Sequence, residues 1–148
     1  VPIALKEAAR KCYAETGITN PMEDIDVIEI YDAFTSQHLI WLEALGLCDV
    51  GKAASQLIDS GATRMDGKLP VNPSGGVLSN NSIGGSAMIR QAEIAMQIMG
   101  RAGEHQVEHA EIGLAHGWGG AIQFHTIMIM SKEKEIKDSF ENRKKRKG

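Results

Sequence analysis

The sequence has few of the features that mark specialised classes of protein. Its 148 residues include two cysteines, four prolines and only 5% aromatic side chains. No apolar run approaches the ~20 residues that cross a bilayer, and no secretory signal pattern is present. The formal net charge is −3, which gives no electrostatic basis for binding nucleic acid. We therefore expect a globular, cytoplasmic domain that binds neither membrane nor nucleic acid.

The two cysteines, Cys12 and Cys48, lie in or beside patterns typical of helices. Nothing local brings their Cα atoms close enough for a disulfide. Neither lies in a glycine-rich turn or at a helix start that would make the thiol reactive. We expect two buried free thiols in a reducing compartment.

Apolar periodicity predicts an alternation of helices and strands. Helices are predicted over residues 3–16, 34–45 and 83–99, with a short helix over 51–60. Strands are predicted over 24–31, 110–115 and 121–130, and the last two are joined by a tight turn over 116–120. This order predicts an α/β layer. Because three strands make a thin sheet, an exposed apolar edge should be covered by another chain or by further sequence.

The last part of the chain divides into an apolar and a charged stretch. Residues 121–130 are the most apolar run, as expected of a central strand covered on both faces. Residues 132–148 are charged and include five consecutive basic residues at 143–147. We expect a folded domain over 1–131 and a charged, disordered tail over 132–148. Contact of the tail with the phosphates of a nucleotide-like cofactor is the alternative.

Four blocks in order carry a resemblance to a known family. They are DVIEIYDAF from Asp26, LEALGLCDVG from Leu42, VNPSGGVLS from Val71 and AEIGLAHGWGG from Ala110. Over residues 26–130 the chain resembles the C-terminal part of thiolases, nearest the sterol-carrier type and its archaeal relatives. The resemblance implies the C-terminal half of a layered α/β/α fold with a mixed sheet. It also implies coenzyme A as a substrate and no bound cofactor.

The resemblance places the nucleophilic cysteine in an N-terminal half that this chain lacks. The chain begins at Val1 and a helical pattern starts almost at once, so we expect a fragment, a processed product or one subunit of a split enzyme. Alone, it should have no activity. The N-terminal thiolase half and further copies of the chain are the expected partners, since the family forms dimers or tetramers.

At three positions where the family carries active-site groups, this sequence has other residues. Tyr31 replaces an Asn or His after the first strand, Ser82 replaces the histidine of a Gly-His-Pro motif, and His116 replaces a cysteine between the last strands. His116 is the candidate general acid/base, or a structural histidine of the turn. Tyr31 is a candidate acid or donor to a carbonyl oxygen, or an ordinary aromatic. Ser82 is a candidate hydrogen-bond donor, or a helix N-cap.

Glycines in the loop before Ser82, just after Ser82 and just after His116 are the candidate substrate or CoA contacts, because glycine allows close backbone approach. They are Gly75, Gly76, Gly84, Gly85, Gly117 and Gly119. We expect the side chains of Tyr31, Ser82 and His116 to converge within roughly 10 Å, with the start of the long helix aimed at them and His116 partly accessible. No metal site is expected, because His105 and His109 have no evident further ligands.

Three functions fit this pattern. The first is a thiolase-type acyl-CoA acyltransferase, similar to acetyl-CoA acetyltransferase, which cleaves or forms 3-oxoacyl-CoA. The second is a thiolase-fold aldolase or lyase that acts on a CoA thioester through Tyr31 and works with a small OB-fold partner, although the second tyrosine expected of such enzymes is absent. The third is a non-catalytic subunit that binds acyl-CoA.

Overall fold

The computed structural model describes residues 2–147 and gives a mixed α/β domain. The helices and strands are, in order, α1 (Ile3–Thr16), α2 (Pro21–Asp24), β1 (Val27–Glu29), α3 (Thr35–Ala44), α4 (Gly76–Ser79), α5 (Ser86–Ile98), β2 (Ile112–Gly119), β3 (Phe124–Ser131) and α6 (Ile136–Lys147). A π-helical turn covers Ala54–Ile58 and a 3-10 turn covers Gly103–His105. The predicted bounds of α1 are confirmed, and α5 begins three residues later than predicted.

The three strands form one mixed sheet in the order β1-β2-β3. β1 runs parallel to β2, with Val27 opposite Gly113, and β2 runs antiparallel to β3, with His116 opposite Ile127. On the other side of β1, a short extended segment adds a bridge between Ile28 and Val71. The α/β class and the mixed sheet predicted from the sequence are confirmed.

Helices α1 and α3 cover one face of the sheet. Leu5 and Trp41 belong to the buried cluster that contains Ile28 and Leu114, and each is at most 1% exposed. Since successive residues of a strand point to opposite faces, Val27 and Ala115 lie on the other side. There they form a second cluster around Ile94 of α5.

Helix α5 approaches β2 closely because two strand positions are glycine. A Cβ added at Gly113 would lie 2.6 Å from Ile94, and one added at Gly117 would lie 2.6 Å from the Cβ of Ala87. Glycine in a strand interior often marks such a close approach. The predicted tight turn over 116–120 is therefore wrong, since these residues continue β2 as far as Gly119.

The hairpin turn lies further along the chain and is strained. It covers residues 120–123. Ala121 (φ 52°) and Ile122 (φ 73°) both have left-handed backbone conformations. For a β-branched residue such as isoleucine this conformation is an outlier.

The predicted central position of the final strand is wrong, because β2 is central and β3 lies at the edge. Helix α5 packs mainly against β1 and β2, and Phe124 and Met128 of β3 remain 69% and 40% exposed. Trp41 of α3, by contrast, is already buried within the chain and needs no partner to cover it. The uncovered face of β3 is where the expectation of a covering chain still applies.

The charged C-terminal segment contains helix α6 where the sequence predicted a disordered tail. The difference has a local reason: Glu, Lys and Arg are good helix formers, and the segment between Ser131 and Lys147 contains neither Gly nor Pro. Phe140 packs against the main core. Most side chains of the basic run at 143–147, considered above for phosphate contact, lie outside the described residues.

Two further features bear on the class of protein. Cys12 and Cys48 are free, as predicted, but both are only partly buried. Within residues 2–147, every helix is too short or too polar to span a bilayer.

Candidate functional site

The main chain of Tyr31, just after β1, is held by three side chains from α3 and β2. Its N–H donates a hydrogen bond to Nδ1 of His116 over 3.4 Å. Its carbonyl oxygen accepts from Nε1 of Trp41 over 2.8 Å and from Nε1 of Trp118 over 3.0 Å. Both tryptophans of the chain are therefore used to fix one peptide group, and the direction in which the Tyr31 phenol leaves the backbone is fixed with it.

The phenol of Tyr31 remains accessible at the edge of this cluster. Its ring lies 5.0 Å from the ring of Trp118 at a tilt of 60°. Among the described residues its hydroxyl makes only a long hydrogen bond, 3.4 Å, to Oδ1 of the exposed Asn81. Tyr31 itself is partly exposed. A phenol with one weak partner and an open side is able to donate a hydrogen bond to a substrate oxygen.

The start of α5 reaches the same place. Oγ of Ser86, the first residue of α5, donates over 2.9 Å to the same oxygen of Asn81 and lies 3.0 Å from the carbonyl oxygen of Ser82. The predicted meeting of Tyr31 with the Ser82 region and the start of the long helix thus takes place through Asn81. The N-cap position of α5 is Gly85, so Ser82 is not the helix cap.

Ser82 is exposed and lies at the rim of this arrangement. Its main-chain oxygen accepts from the N–H of Gly85 over 2.8 Å. Its hydroxyl makes no hydrogen bond within the described residues. A role for this hydroxyl in binding a substrate stays a prediction.

The expected accessibility of His116 is wrong. His116 lies in β2, where it is 1% exposed, and its Nε2 is 3.0 Å from Nδ1 of His125. The rings of Trp41 meet both imidazoles edge-on, with centroids 5.8 Å from His116 and 5.2 Å from His125. The sequence could not show this packing, because it depends on side chains from α3 and β3.

The hydrogen bonds fix the tautomers of this histidine pair. Because the Tyr31 N–H can only donate, Nδ1 of His116 carries no proton and Nε2–H donates to His125. Nε2–H of His125 then donates to the carbonyl oxygen of Ile122 over 3.2 Å. Burial, followed by the neighbouring His125, lowers the pKa of His116 to about 3, and burial also lowers the pKa of His125. Neutral and with both nitrogens occupied, His116 is placed to orient Tyr31.

The candidate glycines fall into two groups. Gly75, Gly76 and Gly117 have packing roles: an added Cβ would lie 2.4 Å from Ser79 Oγ, 2.4 Å from Asn72 Nδ2 and 2.6 Å from Ala87, respectively. At Gly84 and Gly119 a Cβ would meet nothing within 4 Å, and at Gly85 the nearest atoms lie 3.5 Å away. Ligand contact at all six stays a prediction, and the open positions are the ones with room for it.

An acidic residue beside Tyr31, not predicted from the sequence, also belongs to this site. Asp32 is 2% exposed, and its Oδ2 lies 2.9 Å from Nδ1 of His38 on α3. Its Oδ1 accepts from the N–H of Val77 in α4 over 2.9 Å. The signal was present in the acidic residue that directly follows an apolar strand, with His38 one helical turn into α3.

A buried ion pair links helix α5 to strand β1. Arg90 of α5 donates to Glu29 of β1 over 2.9 Å, and their side chains are 2% and 0% exposed. Ser74 joins both, through its hydroxyl 2.8 Å from Glu29 and 3.0 Å from Arg90. Burial raises the pKa of Glu29, an effect that Arg90 and Ser74 oppose. In the sequence, this ion pair was indicated by Glu29, the charged residue within the apolar run VIEI.

No group of three or more His, Cys, Asp or Glu side chains in residues 2–147 is arranged to hold a metal ion. His105 instead lies 3.2 Å from the carboxylate of Glu93.

Comparison with known proteins gives consistent results. The sequence profile described as "Thiolase C-terminal domain-like" matches residues 2–132. Human sterol carrier protein 2 is 45% identical over 120 residues, covering 79% of this chain and 21% of that protein. Acetyl-CoA acetyltransferase of Methanothermobacter thermautotrophicus is 35% identical over 130 residues, covering 87% of this chain and 33% of that protein. The chain thus spans a fifth to a third of the length of these relatives.

A solved structure has the same fold. The "Ltp2-ChsH2(DUF35) aldolase" superposes with a TM-score of 0.74 at 27% identity, covering 88% of this chain and 32% of that chain.

Proposed function

Because this chain belongs to the family of thiolase C-terminal domains, we propose that it supplies one half of an active site for aldol chemistry on a CoA thioester. The observation that carries this proposal is Tyr31: its phenol is accessible, and its main chain is fixed by His116, Trp41 and Trp118. Tyrosine at this position resembles the thiolase-like aldolases, and the structural neighbour is named an aldolase.

Thiolytic acyl transfer is less well supported by the same geometry. It needs a group that takes and returns a proton beside the nucleophilic cysteine. A serine hydroxyl at position 82 does not accept a proton near neutral pH as an imidazole does. His116 is buried, and both of its ring nitrogens already make hydrogen bonds.

Retro-aldol cleavage of a 3-hydroxyacyl-CoA makes different demands. A base removes the proton of the 3-hydroxyl, the Cα–Cβ bond breaks, and a carbonyl forms at Cβ while the electrons of the broken bond form a thioester enolate. The proton ends on Cα, which gives an aldehyde or ketone and a shorter acyl-CoA. In this scheme the Tyr31 hydroxyl donates a hydrogen bond to the thioester oxygen as negative charge develops on it.

The rest of the site belongs to partners. The chain spans only part of its relatives, so we assign the remaining binding surface to an N-terminal thiolase half. From the resemblance to the family we propose a homo-oligomer as the assembled state. A small OB-fold partner is proposed on the basis of the neighbouring aldolase, whose name includes a DUF35 component. Phe124 and Met128 on the uncovered face of β3 are available to such contacts.

The test uses the chain assembled with its N-terminal half. With a 3-hydroxyacyl-CoA substrate, Tyr31→Phe should lower kcat by roughly 10²-fold or more, because it removes the proposed donor to the enolate. Tyr13→Phe is the matched control: Tyr13 is the other tyrosine, and its hydroxyl bonds the Leu45 carbonyl inside the domain. Full retro-aldol turnover by Tyr31→Phe would disprove the proposal.

An acyltransferase is the second candidate, favoured by the similarity to the archaeal acetyl-CoA acetyltransferase. It predicts thiolysis of a 3-oxoacyl-CoA, and alkylation of a cysteine of the N-terminal half should stop this reaction. Tyr31→Phe should leave the rate of thiolysis unchanged. Binding of acyl-CoA with neither reaction would identify a non-catalytic subunit.

A further inference from the structure

Asp32 follows Tyr31 in the chain and binds segment 76–81, which contains the hydrogen-bond partner of the Tyr31 phenol. Its two carboxylate oxygens are both used: Oδ1 accepts from the N–H of Val77, and Oδ2 faces Nδ1 of His38. Asp32 is 2% exposed, so neither oxygen is free to turn toward solvent. Two directed hydrogen bonds hold a buried carboxylate in one orientation.

The partner of Asp32 is oriented in turn. A carboxylate accepts only, so Nδ1 of His38 carries the proton. The side chain of His38 is 20% exposed, against 3% for Asp32. His38 and Trp41 lie three residues apart on α3 and therefore share a face. From that face α3 holds Asp32 through His38 and the Tyr31 carbonyl through Trp41.

The N–H that donates a hydrogen bond to Asp32 belongs to Val77, the second residue of α4. The backbone fits tightly there: Gly76 has φ 66°, and an added Cβ would lie 2.6 Å from Oδ1 of Asp32. The segment that begins with Gly76 runs through α4 to Asn81, whose side chain receives the Tyr31 hydroxyl. Asp32 thus fixes one end of segment 76–81 and Tyr31 meets the other end.

We propose that His38, through Nδ1 and Asp32, is a positioning residue that holds segment 76–81 against the phenol of Tyr31. The inference rests on the proposed function, because it assigns His38 to the alignment of Tyr31 for that reaction. His38 itself contacts no reacting atom in this arrangement. Its chemical task is to keep the carboxylate of Asp32 pointing at α4.

The test compares two substitutions that each keep one nitrogen position of the ring. His38→Asn places an amide N–H near the position of Nδ1, whereas His38→Gln extends its amide toward the position of Nε2. In the assembled enzyme, His38→Asn should keep kcat within about threefold of the parent. His38→Gln should lower kcat about tenfold, the scale of losing a hydrogen bond to a charged group, with a much smaller change in KM.

A second readout needs no turnover. Both tryptophans contact Tyr31, so the near-ultraviolet circular dichroism of the 148-residue chain reports on this site. His38→Gln should change that spectrum while leaving the far-ultraviolet spectrum intact, and His38→Asn should change neither.

The outcomes separate this inference from the proposed function. If Tyr31→Phe removes activity while both His38 variants match the parent, the positioning role is wrong and the function stands. If His38→Gln keeps activity while His38→Asn loses it, Nε2 is the atom in use and the positioning role is again wrong. If both variants lose activity equally, a donor at the Nδ1 position is not sufficient, and the role assigned to the Nδ1–Asp32 bond is wrong as well. If Tyr31→Phe is fully active, the function fails, and the circular dichroism still decides the role of His38.

Discussion

Nε2 of His116 lies 3.0 Å from Nδ1 of His125, and the two imidazoles stack across β2 and β3 with ring centroids 5.3 Å apart. This pair joins Tyr31 to the hairpin turn, because His116 accepts from the Tyr31 N–H and His125 lies 3.2 Å from the Ile122 carbonyl oxygen. The arrangement requires both rings to be neutral, since a proton on Nδ1 of His125 would face the N–H of His116.

Acid should therefore weaken the fold through this pair. The folded pKa of His116 is about 3, below the ordinary 6.5, so between these values the unfolded chain binds a proton that the folded chain does not. Stability is then full above about pH 6.5 and falls as the pH drops toward 3, by about 1 kcal/mol per pH unit from this residue. Denaturant unfolding at pH 7 and pH 5 measures the difference.

The matched variants identify the source of this pH dependence. The double variant His116→Gln/His125→Gln should have a flatter profile between pH 7 and 5. His109→Asn removes an exposed histidine at a left-handed position (φ 57°) that Asn tolerates, and it should keep the parent slope. An unchanged slope in the double variant would show that the pair does not control acid stability.

Arg90→Met should destabilise the domain by about 3–5 kcal/mol, because it leaves Glu29 buried without its cation. Guanidinium unfolding gives the value. Adding Glu29→Gln should recover a substantial part of the loss, since the amide needs no counter-charge. Arg10→Met is the control: Arg10 pairs with Glu7 in solvent, where ion pairs contribute little. Equal losses at positions 10 and 90 would contradict this account.

Gly76→Ala should cost more stability than Gly46→Ala, although both glycines are left-handed (φ 66° and 74°). Each substitution pays about 1 kcal/mol for that conformation. At Gly46 a Cβ meets nothing within 4 Å, whereas at Gly76 it would lie 2.4 Å from Asn72 and 2.6 Å from Asp32. We expect about 1–3 kcal/mol more at Gly76, the usual range for overpacking. Equal thermal midpoints for the two variants would show that segment 76–81 shifts to accommodate the added methyl group at little cost in stability.

Local pattern was sufficient for elements whose burial follows their own periodicity. The bounds of α1 and the apolar run that contains β1 were predicted from spacing alone. The bounds of β2 were not, because Gly117 and Gly119 suggested a turn. Gly117 is glycine to admit Ala87 of α5, a residue thirty positions earlier in the chain. Contacts between distant elements of this kind have no signature in a short window of sequence.

The candidate site shows the same division. The resemblance to the thiolase family identified Tyr31, and the structure leaves this residue partly exposed. The chemistry predicted for His116 assumed a loop, whereas a strand position beneath Trp41 encloses the ring. Asp32 and His38 were not predicted as part of the site, because the N–H of Val77 meets the carboxylate of Asp32 only in the folded chain.

Three of the four hydrogen bonds described around Tyr31 end on its amide and carbonyl, which every residue but proline possesses in the same form. The fourth, from the hydroxyl to Asn81, is long, so the surroundings hold the main chain more firmly than the side chain. These main-chain hydrogen bonds can form equally well when the side chain at position 31 is a phenol, an amide or an imidazole. If the proposed function holds, the side chain at position 31 is therefore separable from the stability of the fold, and we expect Tyr31→Asn and Tyr31→His to fold as the parent does.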